Sequence, residues 1–139
     1  MIIFKPNDLP SPPRADMFLP DFLKKFSFFL DFLAVAFGVA TIVTHILILI
    51  IAVILLGGFG AATWLCWKNQ TIKIINDDQF EYTTFMGRTT VYRFSDIKGL
   101  RANNDSWTLF LTNGKVHIEA IACMSETLCN KINAAIAKK

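Results

Sequence analysis

An apolar stretch running from Phe26 to Trp67 sets the terms for everything else in the chain. Within it Asp31 is the only formal charge, and His45 is the only other strongly polar side chain. Apolar runs of about 18 residues or more are long enough to cross a bilayer as a helix. A single helix through this whole stretch would reach about 63 Å, roughly twice the thickness of the hydrocarbon core. The run must therefore fold back on itself, and Thr44-His45 is the polar point nearest its middle. The sequence predicts one span over Phe26–Thr44, a turn at His45 and a second span over Ile46–Trp67. These spans come to about 28 Å and about 33 Å.

The flanking charges favour the same arrangement. Lys24 and Lys25 stand just before the run, Lys68 follows it, and Lys73 comes soon after. Lysines close to the ends of a span tend to stay cytoplasmic, and both clusters can do so only if the number of spans is even. Both termini are then cytoplasmic and His45 lies at the far face. A competing arrangement has a single span over Ala34–Leu56, with the Phe-rich Met17–Leu33 lying on the membrane surface. It would put the lysine clusters on opposite sides.

A length of 139 residues leaves room for one ordinary domain besides the apolar run. The run accounts for the high mean hydropathy of +0.44. Four basic and four acidic side chains cancel before Lys68, so the net charge of +3 resides in Lys68–Lys139. That excess is too mild for a nucleic-acid surface, which carries a dense basic stripe. It suits a domain held beside anionic lipid. Cys66, Cys123 and Cys129 form neither a disulfide framework nor a metal-ligand spacing. No metal or cofactor is expected. The apolar run starts too late, and is too long, for a cleavable signal peptide.

Three regions follow: a proline-rich cytoplasmic arm at 1–25, a transmembrane helical hairpin at 26–67 and a cytoplasmic domain at 68–139. All five prolines fall in Met1–Pro20 and exclude a regular helix there. The arm reads as a solvated tail, or as an extended segment lying on a partner, since Ile2, Ile3, Phe4, Met17, Phe18 and Leu19 need cover. In the hairpin, Ala34-x-x-x-Gly38, Gly57-x-x-x-Ala61 and Gly58-x-x-x-Ala62 permit close backbone approach. They fit packing of the hairpin on itself or against another subunit. Asp31 lies about 8 Å inside the first span, where its carboxylate either snorkels to the headgroups or meets a neighbouring polypeptide. The Gly57–Ala62 string lies within a span with no strand before it, which excludes a phosphate-cradling loop.

After Lys68 the apolar period falls to two. Thr71–Ile75, the segment carrying Phe80, Tyr82 and Thr84, Thr89–Phe94, Trp107–Thr112 and Lys115–Ala120 read as strands. Asn76-Asp77-Asp78 and Met86-Gly87-Arg88 are turns, and Ser95–Leu100 reads as a short helical turn or bend. Asn113-Gly114 predicts a type I′ hairpin turn with positive φ at both central residues. Ser125 can cap a last helix whose Leu128, Ile132, Ala135 and Ile136 share one face. The expectation is an α+β membrane protein, in which five antiparallel strands in hairpin order are closed by the C-terminal helix.

This order resembles the bacterial pleckstrin-homology-like domains that follow membrane hairpins in small proteins. The resemblance rests on Asn76-Asp77-Asp78 after a first strand and on Phe85-Met86-Gly87 ending a second. It continues with Phe94-Ser95-Asp96-Ile97 at an "F/W-x-[DE]-I" bend and Asn113-Gly114 at a "dGk" turn. It covers Thr71 to about Ala137. It implies a partial barrel, shorter than the full barrel of that family, with a bare sheet edge open to strand addition. Relatives of that family bind inositol phosphates through basic clusters, and Lys73, Arg88 and Lys98 are the residues here that could be likened to one.

Catalysis is not expected. His45 sits at a turn, His117 sits in a strand, and no nucleophile–base pair is legible. The expected role is a non-catalytic, membrane-anchored interaction protein of the bacterial inner membrane, in contact with lipid. It would bind a membrane protein partner or its own copies, and not nucleic acid. A lipid-headgroup-binding module is the alternative, and an inner-membrane immunity or inhibitor protein is a third reading.

Overall fold

A computed structural model of the chain describes residues 14–138. The rest of the arm expected at 1–25 lies outside the described residues. The described residues fall into two units, one of residues 21–68 and the other of residues 14–20 with 69–138.

The first unit is a helical hairpin of α1 (Phe22–Thr44) and α2 (Leu49–Asn69), each long and apolar enough to cross a membrane. The break falls at the expected residue. His45 is left-handed, with φ at 56°, and its N–H donates to the Thr41 carbonyl at 2.9 Å, which ends α1. Ile46, Leu47 and Ile48 then accept from Leu49, Ile50 and Ile51 as α2 begins. A continuous helix over Ala34–Leu56 is therefore excluded. Helix α1 starts at Phe22, earlier than expected, because Pro20 bars a helix only up to its own position. Thr41, Thr44 and Thr63 turn their hydroxyls back onto the carbonyls of Phe37, Ala40 and Phe59, so these polar groups do not need water.

The second unit holds eight strands, not five, in two antiparallel sheets. The larger is ordered β4 (Thr89–Arg93), β3 (Gln79–Thr83), β2 (Thr71–Ile74), β1 (Met17–Phe18), β8 (Cys123–Met124). The smaller is β5 (Ile97–Ala102), β6 (Ser106–Leu111), β7 (Gly114–Glu119). Helix α3 (Glu126–Ala137) follows, with the Ser125 hydroxyl accepting from Leu128 N–H at 3.2 Å as expected of a cap. Leu128 and Ile132 of the predicted face are buried, Ala135 and Ile136 are half-buried, and Cys129 is buried beside them. The alternation along β3, β6 and β7 places Phe80, Tyr82, Leu109, Leu111, Val116 and Ile118 in the core. Phe80 packs on Phe94 with ring centroids 4.7 Å apart.

Three further expectations change. Ser95–Leu100 is not simply a bend: Phe94–Asp96 makes one tight turn, and Ile97 then begins β5, with a bulge between Ile97 and Gly99. Residues 14–20 are no solvated tail, since Met17, Phe18 and Leu19 are all buried. The hairpin loop between β6 and β7 is Thr112-Asn113, and neither Asn113 nor Gly114 has positive φ. Gly114 is required for a different reason: a Cβ there would strike the ring of Tyr92.

Candidate functional site

Two places in the molecule gather the residues singled out by the sequence. In the hairpin, small and polar side chains of α1 form a seam against glycines of α2. Ser27 is buried, and its hydroxyl donates to the Gly60 carbonyl at 2.7 Å. Asp31 lies one turn further on, with its carboxylate against the Cα of Gly60, where any side chain would collide with it. Ala34 follows, 3.8 Å from where a Cβ on Gly57 would stand. Ser27, Asp31 and Ala34 are spaced i, i+4, i+7, one stripe of a helix. The seam thus brings together Asp31, Ala34 and Gly57 of the residues singled out. It leaves out Gly38 and Gly58, where an added side chain would meet nothing, and Ala61 and Ala62, which are exposed.

Ser27 and Gly60 were missed because neither belongs to a small-x-x-x-small pair. The seven-residue spacing from Ser27 to Ala34 and the Gly57-x-x-Gly60 spacing were the available signals. Asp31 makes no hydrogen bond or ion pair with a described residue. Helix α1 begins at Phe22, so this carboxylate stands about 14 Å along it, deeper than the sequence suggested. On the outer face of α2, Ile54, Leu55, Gly58, Phe59 and Ala62 line a shallow apolar groove of about 320 Å³.

At the open end of the hairpin the two helices meet through polar and aromatic groups. Trp67 Nε1 donates to Asp21 Oδ1 at 3.2 Å. Lys24 Nζ lies over the Trp67 ring at 4.9 Å, and Lys68 Nζ over Trp64 at 4.8 Å. Lys24 before the apolar run and Lys68 after it therefore occupy the same end of this unit.

The second place is the edge of β2, where the arm enters the sheet. Met17 pairs with Ile72 on one side and Met124 on the other. Asp16 fixes this insertion. Its N–H donates to the Ile72 carbonyl at 3.0 Å, and its carboxylate accepts from Ile74 N–H at 2.8 Å and Ser125 Oγ at 3.1 Å. Ser125 N–H returns a bond to the Asp16 carbonyl at 2.7 Å. Arg14 donates to the Leu19 carbonyl at 2.9 Å and lies over the Phe18 ring. The arm thus pairs with β2 and β8 within the same chain, and the two sheets end at β4 and β8 and at β5 and β7.

No protein-family model, curated protein or solved structure matches the chain. Its chemistry must be judged from the groups themselves. Lys73, Arg88 and Lys98 occupy three elements on two sheets: β2, the β3–β4 turn and the bulge of β5. A cavity of about 350 Å³ lies between the β2–β3 turn and α3, lined by Asp77, Asp78, Phe94, Ser95, Lys131 and neighbouring residues of α3. Lys138 lines it too, just past the end of α3, while the charges of Lys131 and Asp78 are used within the fold. Lys131 donates to the Asp77 carbonyl at 2.8 Å and covers Phe94, while Asp78 accepts from Arg93 Nε at 3.0 Å. Among the described residues, no group of His, Cys, Asp and Glu has the geometry to hold a metal ion.

Proposed function

We propose that this chain is a non-catalytic, membrane-anchored interaction protein. Its hairpin crosses the bacterial inner membrane twice, both termini face the cytoplasm, and the β unit is a pleckstrin-homology-like module. The observation that carries this reading is the open end of the hairpin, where the Asp21–Trp67 bond gathers Lys24, Lys68 and two tryptophans. Tryptophans and cytoplasmic lysines concentrate at such boundaries of a spanning segment. The helix surfaces add support. Phe29, Phe32, Ile42, Val43, Ile54 and Phe59 are all exposed, and helices that are apolar all round are stable in lipid rather than in water. Two antiparallel sheets followed by a closing helix are compatible with the module proposed for the β unit.

A partner within the membrane is favoured by what the hairpin leaves unused. Asp31 has no hydrogen bond or ion pair among the described residues, and the groove at Gly58 and Ala62 faces away from α1. An unpaired carboxylate in hydrocarbon is costly, and a neighbouring helix with a donor would offset that cost. Mass analysis of the protein extracted from its native membrane in mild detergent tests this. A second polypeptide in fixed ratio, or a defined homo-oligomer, is expected. A monomer carrying only lipid would overturn the partner reading.

A further inference from the structure

The turn between β3 and β4 carries an apolar pair for which the fold has no use. Phe85 is 46% and Met86 71% exposed at its tip. Ile75, Val91 and Ile121 are also exposed in this unit, but no two of them are sequence neighbours at one turn. The tip is firmly built. Thr84 N–H donates to the Arg88 carbonyl and Gly87 N–H to the Thr84 carbonyl, both at 2.9 Å, and Gly87 takes φ at 84°. Asn69 Nδ2 donates to the Phe85 carbonyl at 2.8 Å. Asn69 is the last residue of α2 and follows Lys68 directly, so covalent continuity holds Phe85 close to the end of the second apolar helix. No carboxylate occurs between Tyr82 and Tyr92, and Arg88 is exposed beside the tip. An apolar pair next to a cation, hydrogen-bonded to the residue that directly follows Lys68 in the chain, matches the chemistry of a bilayer boundary.

We infer that Phe85 and Met86 seat in the boundary between headgroups and acyl chains, with Arg88 against anionic headgroups. This rests on the reading that the hairpin crosses the membrane. The tip then acts as a third membrane contact and holds the β unit against the leaflet.

The test uses the full chain with ¹³C-methyl methionine, reconstituted in nanodiscs of phosphatidylcholine and phosphatidylglycerol. Met86→Leu assigns the Met86 signal, and the buried Met17 and Met124 serve as internal references. A nitroxide on the lipid near the headgroup should broaden the Met86 methyl several-fold more than either reference. A water-soluble gadolinium chelate should leave it sharp. Arg88→Glu should reduce the lipid-borne broadening in phosphatidylglycerol discs and not in discs of phosphatidylcholine alone. A chain that travels with the discs, but whose Met86 is broadened by the chelate and untouched by the lipid nitroxide, overturns the tip contact alone. A chain that does not travel with the discs overturns the membrane reading and the tip contact together.

Discussion

Gly60 is the one buried residue of α2. Its missing side chain lets the Asp31 carboxylate and the Ser27 backbone come against α2, and its carbonyl receives the Ser27 hydroxyl. A Cβ there would lie 3.2 Å from the Ser27 carbonyl, which cannot rotate away as the carboxylate can. Gly60→Ala should therefore destabilise the hairpin by about 1–3 kcal/mol, the usual range for overpacking. Reversible unfolding in mixed micelles measures this, and in an Asp31→Ala background the loss should shrink. Equal stability of all variants would mean that this seam does not form. Cys129 supports a prediction of another kind. Burial pushes its thiol above the ordinary value of 9.0, and a backbone hydrogen bond opposes that only in part. The folded state therefore holds the proton more tightly than the unfolded chain does. The stabilisation is complete below the unfolded pKa and is lost as the pH rises through the folded one. Stability should fall with pH above about 9 in the wild type, and less steeply in Cys129→Ala, as followed by chemical denaturation.

Strand β1 is the element on which the β unit turns, although only Met17 and Phe18 form it. Asp16 locks it, through a carboxylate that bonds β2 on one side and the cap of α3 on the other. Hydrogen bonds to a charged group contribute about 1.5–3 kcal/mol each, and Asp16 is only partly buried. Asp16→Ala should thus cost about 2 kcal/mol or more, with Asp16→Asn recovering part of it by keeping one acceptor. An unchanged denaturation midpoint would show that β1 is dispensable. The long strands were legible because burial on one face writes a period of two into the sequence, as at Phe80 and Tyr82 or Val116 and Ile118. Two residues cannot display a period. The pairing of Met17 with Ile72 and Met124 spans most of the chain, so nothing local to Met17 announced it. The apolar Met17-Phe18-Leu19 before Pro20 signalled a need for cover, but not that the cover lay in the same chain. Gly114 shows a related limit. Asn-Gly is a turn signal, but here the glycine answers to Tyr92 in the other sheet, a contact no local pattern encodes. The hairpin break was legible at His45 because polar groups in an apolar run are rare, whereas Ser27 belongs to no small-x-x-x-small pair that would mark it.

At the scale of the whole molecule, connectivity constrains how any membrane can be crossed. Strand β1 leads into α1 through Leu19, Pro20 and Asp21, and α2 leads into β2 through Gln70. Because β1 and β2 are hydrogen-bonded neighbours, the chain leaves and re-enters one sheet by two short connectors. Each connecting residue spans at most about 3.6 Å, so these links cannot bridge a hydrocarbon core of about 30 Å. The start of α1 and the end of α2 must then lie on the same side, and the number of crossings is two or none. Cysteine labelling in sealed inverted vesicles separates these cases. In a chain whose own cysteines are replaced by alanine, a cysteine added at either terminus should react with a membrane-impermeant maleimide, while His45→Cys should be shielded until the vesicles are opened. Labelling of all three positions in sealed vesicles would mean that the hairpin lies on the surface. Labelling of one terminus and not the other would mean that β1 and β2 do not pair in the membrane-bound protein. The insertion of the arm and the double crossing stand or fall by different outcomes of one experiment, because the same pair of strands ties the hairpin's two ends together.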